Sequence, residues 1–141
     1  MDQPSIGRRQ GRILGANVSN YLLIGAGAFL GANLRFIVGN WAADRFGLTF
    51  PYGTLIINVS GSFAIGLFLT LLTGRVPFAP AARLFFAVGF LGGYTTFSTF
   101  TVESVALLQA RAYLAAILNV TGSVVLGLLA VVLGVIVGRH A

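Results

Sequence analysis

Residues 89–101 read Gly89-Phe90-Leu91-Gly92-Gly93-Tyr94-Thr95-Thr96-Phe97-Ser98-Thr99-Phe100-Thr101. They lie inside an apolar region, about Ala82 to Gln109, that is longer than one bilayer crossing requires. Two adjacent glycines cost about 1 kcal/mol each in a helix interior. The hydroxyl residues after them suit the capping of freed backbone groups. The stretch therefore predicts a helix interrupted near residues 92–95, at mid-membrane. Irregular backbone at that depth is tolerated only where protein buries it or a watery cavity receives it. In transporters, such breaks are where ions bind. The plainer alternative is an unbroken helix with a glycine-rich packing face.

The rest of the chain makes lipid the main solvent. Of 141 residues, 57% are hydrophobic and 9% charged, and the mean hydropathy is +0.92. A soluble domain carries about 25% charged residues, so a soluble fold, a disordered chain and a conventional soluble enzyme are excluded. The chain divides into a polar basic tail, 1–17, and a four-helix transmembrane domain, 18–141. The remaining spans run over about 21–41, 53–72 and 114–137, each near the ~20 residues that cross ~30 Å of hydrocarbon. Asp44, Arg45, Gly47 and Pro51 mark one turn, and Gly74, Arg75 and Pro77 another. Arg8, Arg9 and Arg12 suggest an export signal at first sight. The apolar run after them is too long for one and ends at no small-residue cleavage site, so the tail is expected to stay as an uncleaved flank. Gly27/Gly31, Gly89/Gly93 and Gly134/Gly138 have the spacing of close helix contacts, with contact between subunits left open.

All nine basic residues are arginines placed between apolar runs, a pattern of membrane topology and not of nucleic-acid binding. With four spans and the tail set aside, Arg75, Arg83 and Arg139 face one side and Arg35, Arg45 and Arg111 the other. The tie gives the core no preferred orientation, so the chain is a candidate for inserting both ways and pairing antiparallel. Cysteine is absent and the one histidine is His140. No nucleophile–base pair, metal-ligand cluster or phosphate loop is present, so an enzyme has no support.

Four short spans enclose little volume, which calls for a homo-oligomer. The polar residues at membrane depth are Asn58, Ser60 and Ser62, then Thr95, Thr96, Ser98 and Thr99, then Asn119, Thr121 and Ser123. Neutral donors can replace an anion's water without trapping it behind a full charge. Any single hydroxyl is more economically read as an interhelical bond, whereas the amide of Asn58 favours a functional role. Phe97 and Phe100 share a helix face at i,i+3. Their ring edges carry positive partial charge, although packing is the ordinary role of phenylalanine in lipid. Glu103 and Arg35, toward span ends, are the ionisable residues that mark a functional site or vestibule.

These residues resemble the CrcB/Fluc fluoride channel family. The resemblance is carried by Gly31-Ala32-Asn33-Leu34-Arg35-Phe36, by Pro51-Tyr52-Gly53-Thr54-Leu55 leading to Asn58 and Gly61-Ser62-Phe63, and by the opening stretch with Glu103 behind it. Asn119-Val120-Thr121-Gly122-Ser123 also fits, and the likeness spans about Gly25 to Gly138. It implies a dual-topology antiparallel homodimer in the cell membrane, with two fluoride pores and passive export down the electrochemical gradient. It also implies a central structural sodium ion, held by the backbone carbonyls of Gly92 and Thr95. Phe97, Phe100, Asn58 and Ser123 match the family's pore residues, with Thr96 and Ser98 as further hydroxyl contacts. Arg35 and Glu103 fall at the vestibule. Two departures stand out. Asn119 takes a position where some members carry a pore-side Tyr, and the basic tail exceeds the family's short start. The tail leaves a fixed topology with a paralogous partner open. The rival function is a small dual-topology proton-coupled exporter, which wants a mid-membrane acid that the first span lacks.

Overall fold

A computed structural model describes residues 6–74 and 80–141, with side chains over 18–72 and 80–141. The turn expected at Arg75 and Pro77 lies outside the described residues, as do the first five residues. The described chain is all helical. It consists of α1 (Ile6–Phe46), α2 (Tyr52–Gly74), α3 (Pro80–Ala82), a π-helical stretch (Arg83–Leu91), α4 (Gly92–Tyr94), α5 (Phe97–Gln109) and α6 (Tyr113–His140). Four segments are long and apolar enough to cross a membrane: Val18–Phe46, Tyr52–Leu72, Pro80–Gln109 and Tyr113–His140. The first and last extend several residues beyond the spans expected from their apolar runs, and the middle two by one or two. Polar residues such as Asp44 and Arg45 still complete the last turn of α1. The chain leaves that helix at Gly47, whose φ of 79° is the left-handed cap conformation, with its N–H on the Ala43 carbonyl at 2.9 Å.

Trp41, Phe46, Phe50 and Tyr52 gather at the α1–α2 end, with ring centroids 5.8 Å apart for Trp41–Phe46, 5.3 Å for Phe46–Tyr52 and 4.8 Å for Phe50–Tyr52. Aromatic clusters of this kind favour the interface between hydrocarbon and headgroups. At α5–α6 the turn is tight, and Arg111 takes a left-handed φ of 58°.

Two seams hold the helices together. In one, α2 lies along α6; in the other, α1 lies along the π-helical stretch and α4. The glycine pairs all serve contacts inside the chain. A Cβ on Gly31 would overlap the Phe90 carbonyl oxygen, and one on Gly89 would stand 2.6 Å from the Ile24 oxygen. A Cβ on Gly134 would overlap the Phe63 carbonyl oxygen, and one on Gly138 would come within 2.9 Å of Thr70. In lipid, backbones packed this closely gain dispersion contact that no hydrophobic effect supplies.

In the third span the adjacent glycines are helical. Gly93 is used for contact, since a Cβ there would meet the Ala28 oxygen at 2.7 Å. The extended residues are Thr95 (φ −79°, ψ 157°) and Thr96 (φ −150°, ψ 119°), near the middle of the span. Close packing on α1 repays the helical cost of Gly93. The departure from helix falls where polar side chains reach in from other elements.

Candidate functional site

Every backbone group at Thr95 and Thr96 that leaves the helical ladder needs another partner, because lipid offers none. Thr95 ends the first half of the span by directing both its N–H (3.0 Å) and its hydroxyl (2.9 Å) at the Leu91 carbonyl. Asn58, across on α2, takes Thr96 by both backbone groups. Its Nδ2 donates to the Thr96 carbonyl at 3.0 Å, and its Oδ1 accepts the Thr96 N–H at 2.8 Å. The Thr96 side chain then caps α5. Its Oγ1 accepts the Thr99 N–H at 3.3 Å and donates to Thr99 Oγ1 at 3.0 Å. Gly61 has no Cβ to clash with the Thr95 methyl beside it. Tyr94 locks the preceding turn, with its hydroxyl 3.0 Å from Ser60 Oγ.

Two cavities flank this junction. A cleft of about 350 Å³ is lined by Asn58, Gly92, Thr95, Thr96, Phe97, Phe100 and Ser123, among others. On the other side a groove of about 740 Å³ is lined by Arg35, Thr54, Thr96, Thr99 and Glu103, among others. Thr96 borders both and is itself buried. Within the cleft, Phe97 and Phe100 have ring centroids 5.6 Å apart and tilted by 48°. Phe100 is 9% exposed and Phe97 77%, so one ring is seated in the chain and the other stands open. Ser123 Oγ is buried there without a hydrogen-bond partner. In the groove, Thr54 Oγ1 donates to Glu103 Oε1 at 2.9 Å, while Glu103 Oε2 has no partner. Arg35 Nη1 reaches the Thr95 carbonyl at 3.5 Å.

Asn58, Thr96, Phe97, Phe100 and Ser123 thus share one cleft, and Arg35 and Glu103 share the groove. Ser98 lines neither. It is exposed, with its Oγ 3.4 Å from Thr96 Oγ1. Ser62 lines the cleft, whereas Thr121 is exposed and bonds to its own helix at the Ile117 carbonyl. Thr54, at i−4 from Asn58 on one face of α2, joins the groove as a residue to which the sequence assigns no site role. Ser104 was missed by the sequence reasoning, and it is i+4 from Phe100.

Among the described residues no group of three His, Cys, Asp or Glu could hold a metal. The carbonyls of Gly92 and Thr95 are the neutral oxygens at this junction that could hold a sodium ion. The Thr96 N–H, which would ordinarily reach back to the Gly92 carbonyl, is committed to Asn58. A Cβ on Gly92 would have no atom nearer than 3.9 Å, so that face of the chain is open. Thr95 shares its carbonyl with Arg35 at long range and keeps a second lone pair. Two carbonyls are fewer oxygens than a hard cation takes.

Comparison with known proteins bears on this arrangement. The family model described as "CrcB-like protein, Camphor Resistance (CrcB)" matches residues 22–135. The fluoride-specific ion channel FluC of Chloroflexus aurantiacus is 52% identical over 122 residues, covering 86% of this chain and 97% of the relative. The protein of the same name from Roseiflexus sp. is 48% identical over 120 residues, 85% of this chain and 97% of its own. That of Rhizobium meliloti is 41% identical over 122 residues, 86% and 98%.

Proposed function

The chain belongs to the CrcB family, and from that premise we propose that it is a fluoride-selective channel of the cell membrane, working as an antiparallel homodimer with two pores. It is a multi-pass transport protein, not an enzyme. The observation that carries the proposal is the cleft at Thr95–Thr96, where an aromatic pair, a buried unpaired hydroxyl and an amide meet at a helix interruption.

Fluoride is small and strongly hydrated, so a path for it must supply donors in place of water. Asn58 keeps one amide hydrogen beyond its bond to Thr96, Ser123 Oγ has no other partner, and the edges of Phe97 and Phe100 are positive. All are neutral, so the anion is solvated without being trapped. Arg35 sits in the groove on the far side of Thr96 and raises the local anion concentration there. Glu103, held by Thr54, borders the same groove.

The cleft is open on the side of Phe97 and Gly92, and a second copy would close it. Antiparallel pairing agrees with the three-against-three arginine tie. A sodium ion bound by Gly92 and Thr95 carbonyls from both copies would supply a fixed positive charge that stabilises backbone oxygens outside a helical ladder. Passive flow needs no coupling energy: fluoride enters as neutral HF, dissociates in the less acidic cytoplasm and leaves through the channel.

The purified protein in liposomes loaded with fluoride or chloride provides the test. The expected result is rapid release of fluoride, with chloride retained and no proton gradient imposed. Release that occurs only with proton co-transport would instead indicate the rival exporter.

A further inference from the structure

We infer that Asn119 is a positioning residue, which sets α6 against α5 so that Phe100 and Ser123 meet at the cleft. This rests on the function proposed above and assigns Asn119 a place outside the anion's path. Its side chain is 0% exposed and lies away from the cleft lining. Nδ2 donates to Ser104 Oγ at 2.9 Å, and Ser104 Oγ donates to the Phe100 carbonyl at 2.7 Å. With the one Ser104 hydroxyl hydrogen on Phe100, Ser104 accepts from Asn119. Asn119 Oδ1 is left buried without a partner.

Stability alone does not account for this residue. A buried amide with an unpaired oxygen is costlier than an aliphatic side chain of similar size, and Ser104 already has an acceptor for its hydrogen. The amide supplies direction: a bond from α6 ends, through one hydroxyl, on the backbone of the residue whose ring is seated in the cleft. Ser123 lies one turn along α6 at i+4, so the rotation that seats Asn119 also aims Ser123 at the cleft.

The test compares fluoride efflux from liposomes and thermal unfolding for wild type, Asn119→Leu, Ser104→Ala, the double variant and Ser104→Thr. Each single variant is expected to slow efflux about three- to tenfold, the size of one buried hydrogen bond. The double variant should be no slower than the singles, since both cut one relay. Removing both polar partners should return its unfolding temperature toward wild type while efflux stays slow. Ser104→Thr keeps the hydroxyl and should restore the rate. Efflux that tracks unfolding temperature across the series, or wild-type rates in Asn119→Leu or Ser104→Ala, would overturn the inference. Absence of fluoride efflux in wild type would overturn the proposed function itself, a separate result.

Discussion

The two halves of the third span solve the same problem in opposite ways. From Arg83 to Tyr94 the chain lies against α1 by removing side chains: Gly89 and Gly93 let backbone touch backbone. At Thr95 and Thr96 the helical ladder stops, and side chains from elsewhere complete it, chiefly Asn58. The first half is specified by shape and the second by hydrogen bonds. They should therefore fail differently, the seam through loss of folding and the junction through loss of function with milder destabilisation.

The largest effect belongs to the seam. Gly31→Leu forces a side chain into the Phe90 carbonyl and should destabilise by about 3 kcal/mol, at the upper end for overpacking. The check is recovery of folded protein by size exclusion in detergent. Asn58→Leu comes next. It strands one N–H and one C=O of Thr96, about 2 kcal/mol with each near the lower figure of ~1, since water in the cleft recovers part. Efflux should be lost even in the fraction that stays folded. Thr96→Val removes the cap of α5 and should cost about 1 kcal/mol, read as a lower unfolding temperature. Smallest of all is Gly122→Ala. A Cβ there meets nothing within 4 Å, so the change should be neutral or stabilising by less than about 1 kcal/mol, with efflux unchanged. A large loss at Gly122, or none at Gly31, would break the contrast between shape and hydrogen bonding.

The four spans were legible because lipid demands long apolar runs, and the runs are plain in the sequence. Their ends were less so, since helical bonding carries on through Asp44 and Arg45 after apolarity stops. Local propensity drew attention to Gly92 and Gly93, but both are helical, and Gly93 packs on Ala28. The extended residues are the threonines beside them, and Thr96 is pinned by an amide 38 positions away in sequence, which no local signal contains. Spacing put Phe97 and Phe100 on one face and did not foretell their unequal exposure. Phe100 is buried and Phe97 projects from the chain, a difference that depends on packing between helices. Thr54, named in the stretch that leads to Asn58, was given no role at the site, because its partner Glu103 is on another helix.

The most direct measurement is the fluoride efflux rate of Phe100→Ile beside that of Phe29→Ile. Both changes keep apolar bulk, but Phe100 lines the cleft and Phe29 stands 68% exposed on the outer face of α1. If the cleft carries the anion, Phe100→Ile slows fluoride release at least about tenfold, the equivalent of ~1.4 kcal/mol on the barrier, while Phe29→Ile runs at the wild-type rate. Equal rates in the two folded variants would contradict a path through this cleft.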